Sequence, residues 1–246
     1  MIKIGIAGYG YVGQAHHEAL KDYYEVLISD PAKGHYEDLR HCDCVIVCVA
    51  TPEAKDGTCY MQNVYDVLND LKNVPILIKS TISIVGWQYI NRTFRNVSFS
   101  PEFLRAESAL EDFKNNNTIL IGGNSVHFWQ EIFLNSMGNI NIDIADPEEL
   151  ILVKYFRNSF LATKVAFFNE IYDLCKNTNA DYNTVAKLIS MDSRIGTSHT
   201  TVTEERGFGG HCFPKDVSAL LKMAEDLGNN LNILEAANNY NKRIRK

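Results

Sequence analysis

Short apolar runs alternate with helical patterns through the first half of the chain. Ile2–Ala7, Glu25–Ser29, Asp43–Ala50, Pro75–Lys79, Val97–Phe99, Thr118–Ile121 and Ile140–Ile144 read as strands. The longest unbroken apolar run, Cys44 to Ala50, has the length of a buried strand. Between several of these runs, Val12–Lys21, Met61–Lys72, Val85–Thr93 and Val126–Ser136 repeat apolar positions at helical spacing. Continuous apolar strands separated by helices predict an α/β fold with a parallel, doubly wound sheet.

The pattern changes at Asp146-Pro147-Glu148-Glu149. Asp146 suits a helix N-cap, Pro147 the first helical position, and Glu149 the third position of a capping box. A long helix is predicted from there to about Asn177, with no Gly or Pro beyond its start. It is apolar on most faces (Leu150, Ile151, Val153, Phe160, Leu161, Phe167, Phe168), which marks a buried spine or an oligomer interface. Further helices are expected at about Tyr182–Ser190, Val217–Leu227 and Ile233–Arg243. The domain division read from this change is 1–146 and 147–246.

Composition narrows the classes. Of 246 residues, 46% are hydrophobic and 22% charged, ordinary globular values that exclude disordered and fibrous readings. No apolar run approaches the ~18 residues of a membrane span. A net charge of −6 argues against a nucleic-acid partner. The basic end, Lys242, Arg243, Arg245 and Lys246, reads as favourable charge at the C-terminus of the last helix. The six cysteines (42, 44, 48, 59, 175 and 212) show no repeated CxxC pair, so no metal site is expected. Met1-Ile2-Lys3-Ile4 opens directly into a strand, so the expectation is a reduced, cytoplasmic protein without a leader.

Two loops carry candidate chemistry. Gly8-Tyr9-Gly10-Tyr11-Val12-Gly13 is a G-x-G-x-x-G sequence between a predicted strand and a predicted helix, the context of a dinucleotide loop. Gly8 permits a tight turn, Gly10 a close backbone approach by a pyrophosphate, and Gly13 close packing of helix on strand. The helix N-terminus, through Tyr11 and Val12, offers N–H groups to phosphate. Asp30 closes the second strand and suits hydrogen bonds to ribose hydroxyls, favouring NAD over NADP, with Lys33 nearby opposing that preference. In the second loop, Gly209-Gly210-His211-Cys212-Phe213-Pro214-Lys215-Asp216, Cys212 precedes a helix and neighbours Lys215. Both features favour a thiolate. A nucleophile with an acid or base four residues on is one reading; a buried Cys in a glycine turn, with Asp216 as a cap, is the other.

The motifs together resemble the UDP-glucose/GDP-mannose dehydrogenase family over nearly the whole chain. Besides the two loops, the similar segments are Ala50-Thr51-Pro52 with Asp56-Gly57, Lys79-Ser80-Thr81, Ser100-Pro101-Glu102-Phe103-Leu104-Arg105, Lys154 with Asn158, Asn169-Glu170, and Asp192-Ser193-Arg194-Ile195-Gly196. The resemblance implies a Rossmann-type NAD domain followed by a helical central domain. It also implies oxidation of a nucleotide-sugar primary alcohol to a carboxylate, UDP-glucose more than GDP-mannose. Cys212 would form a thiohemiacetal and then a thioester. Lys154 and Asn158, on one helix face, would steady an oxyanion. Thr81, Glu102 and Asp216 would handle water and protons. Thr51 and Thr81 would touch the cofactor. Glu102, Phe103, Leu104, Arg105, Lys154, Asn158, Phe208 and Gly209 would touch the substrate, and Arg194 would reach the substrate of a homodimer partner.

Two departures stand out: Ala106 replaces a common Glu, and no C-terminal nucleotide-gripping domain follows. The competing readings are a β-hydroxyacid dehydrogenase, which needs no thiol, and a non-catalytic NAD-binding module.

Overall fold

The computed structural model describes residues 2–71 and 74–246. Lys72, the expected end of the second helix, lies outside the described residues.

The strands are β1 (Lys3–Ala7), β2 (Glu25–Asp30), β3 (His35–Tyr36), β4 (Cys44–Val47), β5 (Ile76–Ile78), β6 (Val97–Phe99), β7 (Thr118–Gly123) and β8 (Asn141–Ile144). The helices are α1 (Tyr11–Leu20), α2 (Gln62–Asp70), α3 (Ile84–Thr93), α4 (Ala109–Asn115), α5 (Val126–Met137), α6 (Pro147–Lys176), α7 (Tyr182–Ile189), α8 (Phe213–Asp226) and α9 (Asn232–Ile244). The described residues divide into two compact units. One is Met1–Pro52 with Cys59–Lys154; the other is Glu53–Thr58 with Tyr155–Lys246.

The first unit holds an eight-stranded sheet among the described residues, in the order β3-β2-β1-β4-β5-β6-β7-β8. β1 lies between β2 and β4, parallel to both. The strand order therefore reverses direction beside β1, and at such a point ligands of open α/β sheets bind outside the C-terminal ends of the strands. Both strand faces are buried. Ile4, Cys44, Ile46 and Leu77 pack with Leu20 of α1 and with Trp129, Ile132 and Phe133 of α5. The alternate positions Val45, Val47, Ile76 and Ile78 are buried too, as are Val64 and Leu68 of α2 and Trp87 and Ile90 of α3.

The sheet is not wholly parallel. β2–β3 and β6–β7 are antiparallel. The expected parallel return from β6 to β7 fails because α4, absent from the predicted elements, is too short to cross a sheet face. It packs instead on α1 through Ala15, Leu104, Ala109 and Phe113, so the chain re-enters at the end it left.

The second unit is helical, and its first helix, α6, begins within the residues of the first. α6 starts at Pro147 as expected, and the Glu149 carboxylate accepts the Asp146 N–H at 3.3 Å, half of the anticipated capping box. Asp181 caps α7 through Thr184 N–H at 2.9 Å. Phe168, Cys175, Tyr182 and Ala186 form a core between α6 and α7. α8 begins four residues earlier than predicted, at Phe213 rather than Val217, because Pro214 stands in its first turn.

Candidate active site

In the first unit, the glycine loop has the geometry its spacing predicts. Gly8 has φ +91°, and a Cβ there would lie 2.7 Å from the Cys48 carbonyl group. A Cβ at Gly13 would collide with the Gly8 carbonyl oxygen, so this glycine sets how closely α1 approaches β1. Gly10 is the α1 N-cap, and the space beside its Cα is open. Asp30 Oδ2 accepts the Tyr9 N–H at 2.7 Å, while Lys33 Nζ and Gln14 Nε2 donate to the Tyr9 carbonyl at 2.8 and 3.1 Å. The two oppositely charged side chains thus brace the two peptides that flank Tyr9. A cleft of about 940 Å³ runs past Tyr9, Tyr11 and Gln14, and its far wall includes Ala106 and Glu107. The open space beside Gly10 at the α1 N-terminus, rather than this acidic cleft, fits a dinucleotide diphosphate.

Thr51 is buried, and Thr81 partly so. The Cys59 thiol donates to the Thr81 carbonyl at 3.3 Å. Ser80 Oγ donates to the Val49 carbonyl at 2.7 Å and fastens the turn after β4.

Glu102, just beyond β6, is buried. Its Oε2 lies 3.1 Å from Lys79 Nζ and 3.4 Å from His16 Nε2, and its Oε1 accepts the Phe103 N–H at 3.0 Å. Burial alone would push this carboxyl up. The Lys79 ammonium and the His16 contact outweigh burial and hold it well below the usual carboxylate range. Burial pushes His16 down, so its imidazole stays neutral. Lys154, at the end of this unit's chain, donates to the Glu102 carbonyl at 2.5 Å and sits over the Phe103 ring. Arg105 turns away from these groups into an ion pair with Asp112. Leu104 joins the α1–α4 core.

The second unit gathers the other chemistry. Cys212 is the N-cap of α8, and its carbonyl accepts the Asp216 N–H at 2.9 Å. Asp216 is fully buried, with Asn158 Nδ2 on one carboxylate oxygen and Lys215 Nζ on the other, both at 2.5 Å. Phe208 is clamped by Asn241, which accepts its N–H at 2.7 Å and donates to its carbonyl at 3.0 Å. Arg206, in a left-handed conformation (φ 59°), donates to Asn169 and Asp173 and stacks on Tyr172. A Cβ at Gly209 would enter the Arg245 guanidinium. Arg245, expected only to oppose a helix dipole, instead donates to the Arg206 carbonyl at 2.8 Å and pairs with Glu205. Arg194 is exposed and pairs with Asp192, while Lys164 donates to the neighbouring Ile195 carbonyl at 2.6 Å.

The structure therefore brings Glu102 to Lys154 in one unit, and Asn158 to Asp216 and the Cys212 turn in the other. Sequence reasoning missed three participants. Lys79 lay inside a quoted motif, and its signal was a lysine ending the strand run Ile76-Leu77-Ile78. His16 stood on the apolar side of α1. Asn241 left no local signal, because its partner lies 33 residues away.

Among the described residues, the other cysteines behave as core residues. Burial pushes the Cys42 thiol up to about 11 and raises Cys44 and Cys48 as well. Also among the described residues, no group of His, Cys, Asp or Glu is gathered to hold a metal, and no helix is long and apolar enough to cross a membrane.

A glycine cradle at the strand-order reversal, with a helical unit that presents a thiol at a helix N-terminus, defines a class: dinucleotide-binding proteins with an appended thiol-bearing helical domain. Two family descriptions match the chain. These are the NAD binding domain of the UDP-glucose/GDP-mannose dehydrogenase family over residues 31–133, and that family's central domain over 149–243. The chain belongs to this family and carries its NAD-binding domain.

A UDP-glucose 6-dehydrogenase of Rickettsia bellii is 35% identical over 221 residues, covering 84% of this chain and 50% of that protein. A Campylobacter jejuni protein of the same name is 37% identical over 180 residues, covering 69% and 45%. The structure of a UDP-glucose dehydrogenase from Pyrobaculum islandicum matches with a TM-score of 0.86 at 25% identity, over 99% of this chain and 68% of that one. The chain spans about half the length of the curated relatives it matches.

Proposed function

We propose that this chain is the NAD-binding and thiol-bearing part of a nucleotide-sugar dehydrogenase that oxidises the primary alcohol of a UDP-glucose-type substrate to the carboxylate. Residues 1–146 serve the cofactor and 147–246 carry the cysteine loop. The observation that carries the reading is the first turn of α8. Cys212 stands at a helix N-terminus, and Asp216, one turn on, is buried between Lys215 and Asn158.

NAD would supply the hydride acceptor, one hydride to each of two NAD molecules bound in turn for the four-electron oxidation. Gly8, Gly10, Tyr11, Val12 and Gly13 hold its diphosphate, with Asp30, Lys33, Thr51 and Thr81 around the rest. Asp30 favours NAD over NADP. Cys212 Sγ adds to the aldehyde carbon left by the first oxidation, and the carbonyl oxygen becomes the oxyanion of a thiohemiacetal. Lys154 and Asn158 donate to that oxygen. After the second oxidation the carbon is a thioester. Water adds, the C–S bond breaks, and the thiolate takes a proton back as the carboxylate leaves. Thr81, Glu102 and Asp216 place the water and its protons. Phe103, beside Lys154, and Gly209 line the sugar-nucleotide path, which the buried Leu104 and Phe208 support from behind; Arg105 reaches it only by releasing Asp112.

The same reading makes the protein a cytoplasmic homodimer in which Arg194 serves the partner's substrate. Its support is an exposed apolar line on α6: Phe160, Phe167 and Leu174 are 70%, 56% and 65% exposed and recur every seven residues.

The test is NADH formation with a panel of nucleotide sugars. Two NADH per sugar consumed and a mass adduct on Cys212 are expected, with little four-electron turnover by Cys212→Ser. Full four-electron oxidation by Cys212→Ala overturns the assignment.

A further inference from the structure

Both carboxylates assigned to water and protons are buried and engaged, and Glu102 is the one held between a lysine and a histidine from two other elements. Both Glu102 oxygens are already engaged, and its side chain is 8% exposed. Lys79, itself 3% exposed, reaches it from the end of β5 and also donates to Ser100 Oγ at 2.8 Å. His16 reaches it from the middle of α1, wholly buried, with the Phe113 ring edge-on at 4.8 Å. The imidazole has one orientation that suits a carboxylate, with the proton on Nε2. Neither ring nitrogen makes a hydrogen bond among the described residues; Nε2, 3.4 Å from the carboxylate, is the one that faces it. The peptide that bears this carboxylate is the one whose carbonyl receives Lys154.

We propose that His16 and Lys79 are positioning residues: they fix Glu102 as an anchored anion, and through the Glu102 peptide they set where the Lys154 ammonium stands. Glu102 then acts by charge and place and does not take up a proton. The groups that face the Glu102 carboxylate are Lys79 from β5 and His16 from α1. The Cys48 thiol after β4 and Lys154 from α6 complete the polar surroundings. The inference rests on the dehydrogenase reading for its kinetic consequence, but its geometric content can be measured without turnover.

Two measurements decide it. The first follows the Glu102 side-chain carboxyl by carbon NMR, assigned with Glu102→Gln, between about pH 4.5 and 8. The expected result is no titration in the wild-type chain and none in His16→Gln, whose Nε2–H replaces that of the imidazole. Lys79→Met should bring a titration into the window. If Lys79→Met does not fold, the double variant with Glu102→Gln should fold, because no stranded carboxylate remains. A double variant that also fails to fold counts against the anchoring.

The second is steady-state oxidation of UDP-glucose. His16→Leu should lower kcat roughly tenfold, leave the Kd for NAD unchanged, and be restored by His16→Gln. Titration of Glu102 in the wild type overturns the proposal. So does a His16→Leu variant with unchanged kcat, or a loss that His16→Gln does not restore. If the wild-type chain oxidises no nucleotide sugar, the dehydrogenase reading fails, and the NMR titration still judges the anchoring.

Discussion

At the scale of single residues, buried charge is the feature that most constrains this chain. Taking an ion pair out of water is costly, and stranding one member of it costs more than removing both. Lys79 and Glu102 form such a pair at the sheet's C-terminal edge, and His16 sits beside them as a neutral third member. The pH dependence of stability follows from the directions of their shifts. His16 is held below its usual 6.5, so the unfolded chain takes up a proton there first, and stability falls as pH drops below about 6.5. Glu102 is held below its usual 4.5, so a second loss begins under about 4.5. Both losses have the same sign. Melting temperature should therefore fall in two stages on acidification, and His16→Leu should flatten the first. A melting curve already flat from pH 6.5 to 5 in the wild type would contradict this.

At the scale of elements, the cysteine loop is held by the far end of α9. Asn241 satisfies both backbone groups of Phe208, and Arg245 holds the Arg206 carbonyl. Replacing Asn241 with Leu strands a buried N–H and a buried carbonyl, each costing about 1–3 kcal/mol. The expected outcome is a lower urea midpoint, together with a several-fold change in the iodoacetamide alkylation rate at Cys212, resolved by peptide mass spectrometry. An unchanged Cys212 rate in a destabilised Asn241→Leu variant would confine the clamp to stability.

Elements with local signals were legible in the chain. The strand at Cys44–Val47 is a continuous apolar run, the glycine loop has its spacing, and α6 announces itself through Asp146, Pro147 and Glu149. What sequence could not supply was long-range pairing. The antiparallel return of β7 depends on α4 docking against α1, and the Asn241 clamp depends on loops meeting across 33 residues. Lys79 and His16 were hidden for a related reason. A lone lysine or histidine in an apolar pattern gives no hint of the carboxylate that will neutralise or orient it. The cysteine loop was legible as a motif, yet only folding shows Asp216 buried between Asn158 and Lys215.

At the scale of the whole molecule, α6 carries the surface on which the proposed dimer rests. An exposed line of Phe160, Phe167 and Leu174 is an unusual amount of large apolar surface for one helix to leave in water. A two-fold dimer places this patch against its own copy. Phe160→Glu should convert a sedimenting dimer into a monomer while leaving NAD affinity intact, because the glycine cradle is in the other unit. A monomeric wild-type chain would remove the dimer from the proposed function.

The short excursion Glu53–Thr58 sets a rule of divisibility. It leaves the cofactor unit between β4 and α2 and belongs to the helical unit, where Ser218 Oγ of α8 donates to the Glu53 carboxylate at 2.6 Å. A gene cut in two after residue 146 would therefore sever neither half cleanly. The front piece would carry six residues whose partners it lacks, and the rear piece would lose part of its own surface. A seam at that boundary would cut through the helical unit's own contacts, as the Ser218–Glu53 hydrogen bond shows.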